Sequence, residues 1–169
     1  MNFSEWDLLN LDIKNIEHIK NPTIEMELFV IRENGDNIQY IKNPSREAQI
    51  ISLKYKRAQS IQFIENPSEE LQLIAVKEYS PNIAFIKDPL PNIQLLAVTD
   101  YSWNIRNIKN PIKEAQLIAV KTDGLVIKWI MNPDKDVQMA AVKQNARSIR
   151  YIENIDIELG ENKRYITIN

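Results

Sequence analysis

The chain has 169 residues, of which 44% are hydrophobic and 26% are charged, and its formal net charge is −2. This composition predicts one packed domain over residues 1–169 and excludes a disordered chain. The absence of cysteine excludes disulfides, thiolate catalysis and a cysteine-ligated metal site. No apolar run approaches the roughly 18 residues of a membrane helix, and residues 1–10 lack a basic secretory start. We therefore expect a soluble, cytoplasmic protein.

A short N-terminal cap helix is predicted over residues 1–10. Ser4 is a typical N-cap, and Asp7 stands three places later, as in a capping box. Counting back 22 places from Ile31 reaches Leu9, so this segment aligns with the long helices that follow. It is interpreted as a shortened first copy.

Residues 11–154 repeat a unit of about 22 residues. The clearest copies start with Asn-Pro at Asn66, Asn110 and Asn132. Six prolines, separated by 22, 23, 22, 22 and 22 residues, mark the units: Pro22, Pro44, Pro67, Pro89, Pro111 and Pro133. A fixed short period is typical of a solenoid. The pattern predicts an all-α solenoid of about six two-helix repeats.

The half of each unit after the proline is predicted to be the long helix. Asparagine is interpreted as its N-cap and proline as its first residue. An acidic residue follows three places later in five of the six units, where it favours the positive end of the helix dipole: Glu25, Glu47, Glu70, Glu114 and Asp136. A column of alanines at Ala75, Ala97, Ala119 and Ala141 would let neighbouring helices approach closely.

A glutamine five places after the proline has two interpretations. It recurs at Gln49, Gln72, Gln94, Gln116 and Gln138. The side chains could bond turn carbonyls between units, which we favour because a packed repeat must satisfy its turns. Alternatively, they could line a polar groove that grips a peptide backbone.

The half before each proline reads Ile-x-aromatic-Ile-x-Asn, as in Ile38–Asn43 and Ile127–Asn132. Two isoleucines three places apart predict a short α or 3-10 helix. A strand remains the alternative, since isoleucine and tyrosine favour sheets.

The single histidine, His18, falls in the aromatic column and is interpreted as a packing residue. Beyond residue 154, alternating residues around Gly160 predict a C-terminal β-hairpin cap over 155–169.

The layout of an Asn-Pro start, a helix containing Val-Gln-x-Ala-Ala-Val-Lys-Gln-Asn and then a short helix resembles the leucine-rich repeat variant family. It is also similar to short helical repeats of unknown function in phages, large DNA viruses and bacteria. Residues 134–152 carry the nearest likeness, and the resemblance covers about residues 11–154. The period here is shorter than that family's unit, and the iron–sulfur cysteines are lacking. The resemblance implies a right-handed α-solenoid and no chemistry.

Catalysis is not expected from this sequence. No histidine and carboxylate set has metal-ligand spacing, the serines lack a neighbouring base, and there is no glycine-rich phosphate loop. We expect no enzyme activity, no metal, no cofactor and no small-molecule substrate.

Partner binding is predicted at two sets of side chains. One set is formed by aromatic and arginine residues in loops, which are typical of interface hot spots: Tyr55, Arg57, Tyr79, Tyr101 and Trp103. The other is a basic column in the last three short helices, at Arg106, Lys128 and Arg150. Packing in the core is the alternative for the aromatic residues of the first set, and a solvated face is the alternative for the basic column. Residues 101–152 carry nine basic and four acidic side chains, whereas residues 1–36 carry three and eight.

These features predict a non-enzymatic scaffold that binds another protein. The phage resemblance, together with a composition rich in Ile, Asn and Lys, favours an inhibitor of a host or defence protein. The alternative is nucleic-acid binding along the basic C-terminal third, which the net charge disfavours.

Overall fold

Residues 4–55 and 59–152 are described by a computed structural model, and their regular elements are all helical. The seven α-helices are α1 Glu5–Leu11, α2 Ile24–Ile31, α3 Arg46–Leu53, α4 Glu69–Glu78, α5 Pro91–Asp100, α6 Lys113–Thr122 and α7 Lys135–Gln144. The seven 3-10 helices are η1 Ile13–His18, η2 Gly35–Tyr40, η3 Ser60–Phe63, η4 Ser80–Phe85, η5 Ser102–Asn107, η6 Gly124–Trp129 and η7 Ala146–Tyr151. The all-α prediction is confirmed for these residues. The predicted hairpin over 155–169 lies outside them.

Contacts divide the chain into two compact units, with the boundary between Ile93 and Gln94, inside α5. In the N-terminal unit, α3 packs between α2 and α4, and η1 to η4 contact one another in order. In the C-terminal unit, α6 packs on α7, and η6 packs between η5 and η7. Within each unit, long helices therefore pack on long helices and short helices on short ones.

The short segments are 3-10 helices rather than strands because of their isoleucine spacing. Residues three apart in a 3-10 helix lie on the same side. Ile38 and Ile41 are both buried, and so are Ile105 and Ile108. The N–H of Ile41 also donates to the carbonyl of Ile38 at 2.9 Å. The same pair therefore closes the turn and anchors it in the core.

The predicted N-caps are wrong, because each long helix starts beyond the proline rather than at it. The cap is the residue after the proline in four helices: Thr23, Ser45, Ser68 and Asp134. For example, the Ser45 Oγ accepts from the N–H of Ala48 at 3.2 Å. Asn66 and Asn132 instead have left-handed φ angles of 47° and 49°. Asparagine tolerates that conformation better than most residues, so it turns the chain before the helix.

The long helices bury small side chains where they meet. All four members of the predicted alanine column, Ala75, Ala97, Ala119 and Ala141, have 0% exposure.

The capping box predicted at the N-terminus is also present, because Asp7 Oδ2 accepts from the Ser4 N–H at 2.9 Å and Ser4 Oγ from the Asp7 N–H at 3.2 Å. Leu9 in that first helix is buried like Ile31 in the second.

The glutamine column is structural, as the favoured interpretation predicts. Gln72 donates its amide to the carbonyl of Pro67 at 3.1 Å, and its Oε1 accepts from the N–H of Leu90 at 3.3 Å. Gln94 Oε1 likewise accepts from the N–H of Ile112 at 2.9 Å. Each of these glutamines is nearly buried. The side chains of Gln72 and Gln94 therefore bind chain turns.

Candidate functional site

The candidate site is the exposed side of η5, η6 and η7 in the C-terminal unit, called here the basic aromatic face. It consists of Trp103, Arg106, Lys128, Trp129, Arg150 and Tyr151. The core fixes its orientation, because Ile105 and Ile127 are buried and the next residues, Arg106 and Lys128, are exposed. Arg150 holds the equivalent position in η7 and is also exposed.

Lys128 lies at the centre of three aromatic rings. Its Nζ is 4.9 Å from the ring centroid of Trp103, 5.3 Å from that of Trp129 and 5.9 Å from that of Tyr151. Ammonium groups within about 6 Å of a ring face are attracted by its electrons. The three rings come from three successive short helices, so the cluster forms only when these helices pack together.

Arg150 extends the cluster at η7. Its guanidinium carbon is 5.8 Å from the Tyr151 ring centroid, and its Nε donates to the carbonyl of Arg147 at 3.1 Å. Trp129 and Tyr151 remain 47% and 42% exposed. Large rings that stay this exposed beside cations are available to a partner.

Trp103 is held in place by the next repeat. It lies in η5 rather than in a loop, and its Nε1 donates to Asp123 Oδ2 at 2.8 Å. The other oxygen of Asp123 accepts from the N–H of Leu125 at 3.0 Å, which caps η6. The carboxylate is therefore occupied by two structural hydrogen bonds.

The charged residues of the three short helices that carry this face are all basic. Helices η5, η6 and η7 contain four basic residues and no acidic one. Of the other carboxylates in this unit, Asp134 and Asp136 bind Lys113 at 2.9 and 2.7 Å. These bonds, to Asp136 first and then to Asp134, raise the pKa of Lys113 to about 12. Within the described residues, no ion pair involves Arg106, Lys128 or Arg150.

Of the remaining predicted site residues, Tyr55, Tyr79 and Tyr101 lie outside η5, η6 and η7. Tyr55 is half-buried, and its Oη donates to the carbonyl of Arg32 at 2.6 Å, at the end of α2. Tyr79 is also half-buried and joins α4 to η4. Tyr101 joins α5 to η5 and is 51% exposed. Arg57 lies outside the described residues.

The aromatic column does not lie in the core. This finding corrects the interpretation of His18 as a packing residue. His18 is exposed, and so are Phe63, Trp129 and Tyr151. In η1 to η6 the two isoleucines take the buried side, which turns the two residues between them away from the core. Trp129 and Tyr151 were therefore missed as site residues. Their signal was an aromatic at a fixed position beside the basic column.

A second surface of the C-terminal unit is a groove of about 540 Å³ between α6 and α7. Leu117, Met139 and Ala140 line it, with Lys121 and Lys143 beside them.

Over the described part of the chain, no cluster of three or more histidine, aspartate or glutamate side chains could hold a metal ion. In the same residues, no helix is both long and apolar enough to cross a membrane.

Comparison of the chain with protein-family models, curated proteins and solved structures gives no significant match. The resemblance to the leucine-rich repeat variant family therefore stays a prediction.

Proposed function

We propose that this chain is a non-enzymatic repeat protein that binds another protein through the basic aromatic face. The observation that carries the proposal is the exposure of Trp129 and Tyr151 beside Lys128 and Arg150. Tryptophan, tyrosine and arginine are the residue types that dominate binding energy at protein interfaces. Rings held between packed helices lose little freedom on binding, which also favours an interface.

The proposal includes an α-solenoid as the framework. Its support is local: within each unit, long helices pack side by side and short helices do the same. Glutamine side chains join one repeat to the next in both units. Stacked units of this kind offer an extended surface whose exposed residues can vary without loss of the core.

Alanine substitutions at Trp129 and Tyr151 test the proposed function. We expect each to weaken partner binding by about 2 kcal/mol, or about 30-fold, because a hot-spot ring is removed. The measurement is capture of partners by the immobilised protein, followed by titration of the main captured protein. Phe63→Ala is the matched control, since Phe63 holds the same position in η3 and is also exposed. Equal capture by all three variants would refute the proposal.

A further inference from the structure

We infer that the partner presents an acidic segment whose carboxylates bind Arg106, Lys128 and Arg150 in turn. This inference rests on the proposed function and names the chemistry of the partner. Its first support is charge: the short helices of this unit carry only positive charge, and the nearby Asp123 is occupied by Trp103. Complementary charge across an interface selects the partner and steers its approach.

The second support is that Lys128 is held in position before binding. Three rings surround its ammonium, and no described carboxylate pairs with it. A lysine on a free surface must lose side-chain freedom when it binds, which costs affinity. The ring contacts restrict the side chain and leave its N–H groups free to donate outward. A carboxylate can therefore bind Lys128 without displacing it from the rings.

The same geometry disfavours single-stranded nucleic acid. Bases bind such proteins by stacking on open aromatic faces. Here the Lys128 ammonium lies over Trp103, Trp129 and Tyr151, and the Arg150 guanidinium also lies over Tyr151. On the ring faces that these cations cover, a stacking base would have to displace them, whereas an acidic side chain would add to them.

The distance between the short helices also defines the spacing of the acidic residues in the partner segment. Packed helices lie about 8–10 Å apart, so equivalent residues of η5, η6 and η7 recur at about that interval. A polyproline II segment has three residues per turn and rises about 3.1 Å per residue, so residues three apart face one side about 9 Å apart. An acidic residue at every third position would therefore meet Arg106, Lys128 and Arg150 in succession.

Fluorescence anisotropy with synthetic probes tests the inference. The first probe is a proline-rich peptide of about nine residues with glutamate at every third position, which is long enough to span three short helices. The second has the same composition with its three glutamates adjacent, and the third is oligothymidine of similar length. The proteins are the wild type, Lys128→Met, Trp129→Leu and Lys135→Met. Lys135, an exposed lysine at the start of α7, is the matched charge control.

We expect the spaced peptide to bind more tightly than the other two probes. Lys128→Met should weaken it about tenfold, and Lys135→Met less than about twofold. Trp129→Leu should weaken it about threefold, although Trp129 makes no bond to the carboxylate, because the ammonium loses a ring that positions it. Thermal melts equal to wild type would show that the variants are folded.

Three results would overturn the inference. One is equal peptide binding by Lys128→Met and Lys135→Met. A second is oligothymidine binding tighter than peptide and lost in Lys128→Met, which would identify a nucleic-acid site. The third is failure of the spaced peptide to bind. If the spaced peptide fails while Trp129→Ala still abolishes capture of a protein partner, the inference falls and the proposed function stands. If Trp129→Ala leaves capture unchanged, the proposed function itself falls.

Discussion

The starts of α2, α3, α4 and α7 are each capped by a single short side chain. Ser68 accepts from the N–H of Leu71 at 3.4 Å, and the preceding Asn66 occupies the left-handed region. The two residues therefore perform different tasks on either side of Pro67. The serine satisfies a free N–H of the helix, and the asparagine provides the turn that leads into it.

Substitutions at these two positions should differ in their effect on stability. Ser68→Ala should lower the free energy of unfolding by about 1 kcal/mol, because the cap is lost. Asn66→Gly should cause no loss, because glycine adopts a positive φ at least as readily as asparagine. Urea denaturation of both variants measures the difference. A larger loss for Asn66→Gly than for Ser68→Ala would restore asparagine as the cap.

At the scale of elements, side-chain amides bind backbone N–H and carbonyl groups that have no backbone partner. In the N-terminal unit, Gln72 joins the turn before α4 to the turn before α5. Asparagine in the following short helix does the converse at the ends of α1, α2, α4 and α5, as when Asn37 donates to the carbonyl of Val30 at 2.9 Å. These helix ends therefore depend on a polar side chain from the neighbouring element.

Gln72→Leu should destabilise the protein by about 1–3 kcal/mol. The carbonyl of Pro67 and the N–H of Leu90 would lose their partner in a nearly buried site, and an unsatisfied buried group carries that cost. Gln39→Leu is the control, since Gln39 is exposed and bonds only within its own turn. Urea midpoints of the two variants that coincide would contradict this assignment.

At the scale of the whole chain, the pH dependence of stability should follow from carboxylates at the N-terminal ends of helices. Hydrogen bonds from the Ser4 side chain and backbone lower the pKa of Asp7. Hydrogen bonds from Lys113 and then the Val137 N–H lower the pKa of Asp134. A carboxyl group whose pKa is lowered by folding stabilises the fold above its unfolded pKa. That stabilisation is lost as the pH falls through the folded pKa.

Stability should therefore decline below about pH 4 as these carboxylates take up protons. Asp134→Asn keeps a capping side chain but loses the ion pair with Lys113, so its decline should be shallower than that of the wild type. Urea midpoints measured from about pH 2 to pH 6 give both slopes. Parallel slopes for the two proteins would show that the ion pair contributes nothing to acid sensitivity.

The repeat, the all-α class, the capping box at Ser4 and the alternation of long and short helices could all be predicted from the sequence. These follow from periodicity and local hydrogen bonding, which involve residues near one another in the chain. The basic column at Arg106, Lys128 and Arg150 was also visible, because equivalent positions recur at a fixed interval.

Only the tertiary structure decided how these residues are used. An Asn-Pro pair suits either a cap or the turn before it, and the choice depends on which side chain reaches the free N–H, here that of Ser68. The aromatic column was misjudged as core, because in η1 to η6 the two isoleucines of each short helix fill its buried side. The rings around Lys128 come from residues 103, 129 and 151, which meet only when three repeats pack together.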